Sequence, residues 1–145
     1  MLQQPLVGHV NEADIPWVWA GDVGLQLLRV SPSGFVLRNR FKAGFSLPTH
    51  KHTGAVNAYT FSGDWFYAEQ GIHYTAGTFI HEPAGSVHTL TVAEDSDVLF
   101  IVEGAFIDLD ADGNVAGVVD SKTIQDAYFA LCDVAGIARP TGILE

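Results

Sequence analysis

Two stretches decide how this chain reads: Gly44-Phe-Ser-Leu-Pro-Thr-His50-Lys-His52 and Gly77-Thr-Phe-Ile-His-Glu-Pro83-Ala-Gly85-Ser-Val-His88. In the first, two histidines stand two apart. On an extended chain such residues point to the same side, so both imidazoles can reach one ion. In the second, a proline and a glycine shape a tight turn that ends in a third histidine. His50, His52 and His88 are therefore the candidate metal ligands.

Around these stretches, short apolar or alternating runs recur at regular spacing: Gly24–Val30, Phe35–Phe41, Val56–Phe61, Trp65–Glu69, Thr78–His81, His88–Val92, Val98–Glu103, Phe106–Leu109 and Val115–Val119. Turn residues separate most of them, as in Ser31-Pro-Ser-Gly34, Ser62-Gly-Asp64 and Asp110-Ala-Asp-Gly-Asn114. Many short strands at this spacing predict an all-β sandwich or barrel. Residues 1–20 read as an irregular N-terminal arm. The period changes at the other end, where Ile124, Ala127, Tyr128, Leu131, Cys132 and Ala135 form a helical stripe. Asp120 or Ser121 can cap its start and Gly136 sits where a helix commonly ends, which predicts a closing helix over 121–136. The whole chain, 1–145, is expected to form a single domain, in keeping with its length.

The two histidine stretches resemble the two cupin motifs. Gly44, His50 and His52 match the first, and Gly77, Pro83, Gly85 and His88 match the second, all at the family's spacings. The resemblance implies a double-stranded β-helix (jelly-roll) barrel with a metal inside. One position departs from the pattern. The family's Glu should fall at 56 or 57, but Val56 and Asn57 stand there and no other carboxylate lies nearby in that strand. The expected ligand shell is thus three neutral histidines without a carboxylate, which leaves open positions for substrate and water.

From residue 17 to about 135 the chain further resembles the cupin dioxygenases that include the acetylacetone-cleaving diketone and 2,4'-dihydroxyacetophenone enzymes. That resemblance implies an Fe(II) enzyme that cleaves a carbon–carbon bond beside a carbonyl, taking O2 and a ketone substrate chelated as its enolate. Three imidazoles also accept Zn, Ni or another divalent ion. A non-catalytic zinc-binding sensor, or an isomerase or hydrolase that uses no oxygen, remains open on the same ligands. Cupins commonly pair, so a homodimer or tetramer is expected.

Several other residues are candidates for the site. Trp65, Tyr67 and Glu69 alternate along one strand face, and Glu69 is a candidate base for forming the enolate. Asn57, Tyr59, Phe61, Phe79 and His81 are candidates for the pocket wall. The lone cysteine, Cys132, lies on the helical stripe and reads as a small core residue.

Bulk properties narrow the partners. Seven Lys+Arg stand against seventeen Asp+Glu, for a formal net charge of −10, so a basic footprint for nucleic acid is lacking. No apolar run approaches the roughly 18–20 residues of a membrane helix. One cysteine permits no intrachain disulfide, and the first residues do not read as a signal peptide, so a cytoplasmic protein is expected.

Overall fold

The computed structural model describes residues 4–145. Its described residues form a seven-stranded and a four-stranded sheet, closed by one C-terminal helix. The strands are β1 (Val18–Ala20), β2 (Val23–Ser31), β3 (Gly34–Phe41), β4 (His50–His52), β5 (Val56–Tyr67), β6 (His73–Thr75), β7 (Phe79–Glu82), β8 (Val87–His88), β9 (Leu90–Glu103), β10 (Phe106–Leu109) and β11 (Val115–Val119). The larger sheet runs β1-β2-β3-β9-β5-β6, with β7 also paired to β5. The smaller runs β11-β10-β4-β8. This is the cupin barrel that the motifs imply.

The turns explain part of this order. Gly34 pairs with Ser31 across the β2–β3 hairpin, and a Cβ at Gly34 would fall 2.0 Å from the carbonyl oxygen of Val102. Only glycine lets β3 lie that close to β9. Between β10 and β11 the side chain of Asp110 accepts from the backbone N–H of Asp112 and Asn114. This Asx-type turn is what the acidic LDADGN segment builds.

The structure corrects the strand pattern in two places. Ser62-Gly63-Asp64, expected as a turn, is a run of register shifts inside one long β5. β9 is likewise continuous through Asp95 and Ser96. The hydroxyl of Ser96 accepts from the Asp64 N–H and donates to the Glu94 carbonyl, which satisfies backbone groups that the irregular pairing leaves free. The second correction is in the expected arm, where Val18–Ala20 is a strand paired to β2 and Val18 is buried.

The helix α1 spans Ser121–Val134. Asp120 and Thr123 form a reciprocal cap, the Asp120 side chain accepting the Thr123 N–H and the Thr123 hydroxyl accepting the Asp120 N–H. Its buried stripe is Ile124, Tyr128 and Cys132, and the Tyr128 hydroxyl donates to the Pro16 carbonyl. No helix among the described residues is long and apolar enough to cross a membrane. The core divides into one cluster under α1 (Leu27, Phe35, Tyr128) and another around Trp65, Tyr67 and Val98.

Candidate metal centre

β4 presents His50 and His52 inward with Lys51 outward between them, as the two-residue period requires. β8 pairs antiparallel to β4 with His88 directly opposite His50. All three histidines are buried, and ligand atoms from each lie within 4.8 Å of one another. The Nε2 atoms of His52 and His88 face each other at 3.2 Å. The Nδ1 of His50 lies 2.9 Å from the Pro48 carbonyl. A carbonyl can only accept, so Nδ1 carries the hydrogen and Nε2 keeps its lone pair for a cation.

Electrostatics favour the neutral, ligating form. Burial pushes His88 down to about 3, helped by the neighbouring His50 and His52. Burial lowers His50 as well, against the opposing bond to Pro48. Near neutral pH these two imidazoles are therefore unprotonated.

The expected three-histidine group is present, His50, His52 and His88 being the residues whose ligand atoms all lie within reach of one ion, and a carboxylate stands beside it. Glu82 on β7 is 4% exposed, with one oxygen 3.1 Å from His52 Nε2 and the other 3.6 Å from His88 Nε2. Its cross-strand partner is Val56, the position where the family motif would place a Glu. Glu82 thus stands on the inner side of the neighbouring strand, across the ladder from that position. Glu82 is not legible from β5 alone, because it lies across the ladder on β7. The alternation Phe79, Ile80, His81, Glu82, with Ile80 and Glu82 inward, was the available signal. Glu82 Oε2 and His52 Nδ1 are buried without a hydrogen-bond partner. Three buried imidazoles whose ligand atoms lie within 4.8 Å of one another fit a divalent cation, with Glu82 beside two of them.

The centre opens on a cavity of about 150 Å³ whose wall is almost wholly apolar, with Leu37, Phe41, Leu90 and Phe106 among its lining. Tyr67 also lines it. Its ring stacks on His88 at 3.9 Å, and its hydroxyl is buried without a hydrogen-bond partner. This phenol too was missing from the expected site residues.

The other sequence candidates lie elsewhere. Asn57, Tyr59 and Phe61 occupy the outer face of β5, because Val56, Ala58 and Thr60 take the inner one. Phe79 and His81 lie on the outer face of β7, where His81 Nδ1 is 2.8 Å from Asn57 Oδ1. None of these five lines the cavity. Glu69 is exposed and also outside it, because β5 ends at Tyr67 and the alternation ends there too. Its carboxylate accepts from the N–H and hydroxyl of Thr89. Partial burial raises the Glu69 carboxyl, but these bonds outweigh it and hold the group below its ordinary value.

A two-sheet β-barrel with histidines from β4 and β8 on its inner wall defines the chain as a cupin. It belongs to the family described as the ChrR cupin-like domain, whose pattern matches residues 7–107. No curated protein matches the chain. Among solved structures, an RmlC-like cupin protein from Ralstonia eutropha JMP134 is 31% identical, with a TM-score of 0.86 over 97% of this chain and 95% of that one. An acetylacetone dioxygenase from Acinetobacter johnsonii is 20% identical, with a TM-score of 0.77 over 90% and 95%. A complex of Rhodobacter sphaeroides SigE with the anti-sigma ChrR is 18% identical, with a TM-score of 0.54 over 61% and 50%. The last two likenesses bear on the fold alone.

Proposed function

We propose that this chain is an Fe(II)-dependent dioxygenase that cleaves a carbon–carbon bond in a small aliphatic β-diketone. The observation that carries the reading is the pairing of a three-histidine centre with a small, apolar cavity of about 150 Å³. Such a space is well below the ~300–1,000 Å³ of sites for drug-sized ligands. It favours an acyclic diketone over the bulkier hydroxyaryl ketone that the resemblance leaves equally open.

Bound by His50, His52 and His88, Fe(II) would act as a Lewis acid toward a chelating ketone and supply the redox chemistry with O2. The chain's own residues do the rest. Glu82, which lines the cavity beside His52 and His88, would take the proton from the carbon between the two carbonyls. Glu69, committed to Thr89 outside the cavity, is not so placed. The Tyr67 hydroxyl is a free donor for a substrate oxygen. The apolar wall excludes water and limits substrate size.

The test is oxygen uptake by protein stripped of metal and reconstituted anaerobically with Fe(II). Uptake with acetylacetone, exceeding that with 2,4'-dihydroxyacetophenone and abolished by His88→Ala, is the expected result. Bound iron without uptake on either ketone would discard the dioxygenase. The second reading, a non-catalytic zinc-binding sensor, is favoured by the family description and by the likeness to the SigE–ChrR complex. Three histidines also suit zinc. Zinc in the protein as purified, with no turnover after iron loading, is the outcome that selects it.

A further inference from the structure

Glu69 lies outside the cavity, yet both oxygens of its carboxylate are engaged, and the residue they hold stands next to a candidate ligand. Thr89 is the single residue between His88, where β8 ends, and Leu90, where β9 begins. Its carbonyl accepts from the Ala68 N–H at 3.0 Å, and its N–H donates to Glu69 Oε2 at 2.9 Å. Its hydroxyl donates to Glu69 Oε1 at 2.7 Å and lies 2.6 Å from the Thr49 hydroxyl. A carboxylate only accepts, so the one hydrogen of the Thr89 hydroxyl goes to Glu69, and Thr49 is the donor to Thr89. A directed chain therefore runs from Thr49 through Thr89 to Glu69 and ends on a charge that strengthens its bonds.

The far end of this chain is just as close to the metal centre. Thr49 separates His50 from Pro48, whose carbonyl fixes the His50 tautomer. His50 and His88 face each other across a ladder of only two residue pairs, His50–His88 and Lys51–Val87. So short a ladder is marginal by itself. The Thr49–Thr89 bond adds a link just beyond the two ligands, and Glu69 anchors that link to the end of β5 in the larger sheet. Two residues before Glu69, Tyr67 lays its ring on His88 at 3.9 Å. One strand end thus holds His88 both by its ring and by the residue that follows it. We propose that Glu69 is a positioning residue for the metal centre: acting through Thr89 and Thr49, its carboxylate fixes the spacing of His88 and His50, so the site is preformed before a cation arrives. This rests on the three histidines holding a metal ion, and not on the reaction that follows.

The test is the affinity of the metal-free full chain for Zn(II) and Co(II), measured by competition with a chromophoric chelator. Glu69→Ala and Thr49→Val should each weaken binding about tenfold, as loss of an outer hydrogen-bond partner does, and should alter the visible spectrum of the Co(II) protein. The double variant should bind no more weakly than the weaker single one, because both changes break one chain although no hydrogen bond joins Glu69 to Thr49. Thr89→Ser, which keeps the hydroxyl, should retain the natural affinity, whereas Thr89→Val should not. Asp126→Ala removes an exposed carboxylate on α1 that is paired only with Lys122, and should leave affinity unchanged, which separates the effect from a mere loss of negative charge. Far-UV circular dichroism should match the natural chain in every variant. Natural affinity in Glu69→Ala or Thr49→Val, or additive losses in the double variant, would overturn the proposal. A natural chain that binds neither ion would overturn it together with the metal centre. The expected losses in a protein whose iron-loaded form consumes no oxygen would uphold the positioning role and discard the dioxygenase alone.

Discussion

β5 shows two different proteins on its two sides. Inward it sends Val56, Ala58, Thr60, Trp65 and Tyr67, all buried, and ends beside the candidate metal centre. Outward it sends Asn57, Tyr59 and Phe61, which touch neither the cavity nor the core. Both sides are rich in aromatic residues, so composition does not separate them. What separates them is satisfaction. The inner Trp65 is fully buried, with its indole N–H donated to the Thr60 hydroxyl at 3.0 Å. The outer Tyr59 and Phe61 meet each other edge-on, Arg38 lies over the Phe61 ring, and both remain partly exposed. The fold, not the composition of the strand, decides which of its aromatic residues enter the core.

Substitutions on the two sides should separate by the size of their effect. Trp65→Ala empties a fully buried site and should cost about 3–5 kcal/mol in chemical denaturation. A loss below 1 kcal/mol would mean that the inner cluster around Trp65 is not the core described here. Next in size, Glu82→Gln keeps the shape of the carboxylate beside His52 and His88 but removes its charge. It should weaken zinc or iron binding by about 10–100-fold, measured by competition with a chromophoric chelator. Unchanged affinity would remove Glu82 from the centre.

A smaller effect concerns pH. His88 is held at about 3 in the fold, against 6.5 when unfolded, and His50 is lowered too. Between those values the unfolded chain binds a proton that the folded chain refuses. The contribution of His88 is thus fully present above pH 6.5 and is lost as the pH falls towards 3. The slope is at most about 1.4 kcal/mol per pH unit for each histidine. Metal-free protein should accordingly melt at a lower temperature at pH 5 than at pH 7.5, and a midpoint indifferent to pH over that range would contradict the neutral, buried state of these rings. The smallest effect is expected outside: Tyr59→Ser should change monomer stability by no more than about 0.5 kcal/mol. A loss comparable to that of Trp65→Ala would show that the two faces do not differ as described.

Much of the molecule was legible from local pattern. The turn at Ser31–Gly34, the LDADGN turn, the capped helix starting at Ser121 and the buried position of Cys132 follow from residues close in sequence, and the structure contains each of them. The histidines could be read because the i, i+2 spacing of His50 and His52, and the Pro83–Gly85 turn before His88, express strand and turn geometry directly. The pocket wall could not. Whether Tyr59 or Ala58 faces inward depends on which residue β9 and β7 place opposite, and a shift of one residue exchanges the two faces. The irregular register between Thr60 and Trp65 makes that harder, because alternation counted from Phe61 does not carry through to Tyr67.

By itself, then, the sequence determined the cupin class and the three histidines, because both rest on spacings that act within a few residues. Only the tertiary structure decided that Glu82, across the ladder from Val56, is buried beside His52 and His88. It likewise decided that Tyr67 enters the cavity while Glu69 leaves it, and that Tyr59, Phe61 and Phe79 face outward. Those placements are set by strand pairing between residues about 20 to 45 positions apart in the chain, which no local period encodes.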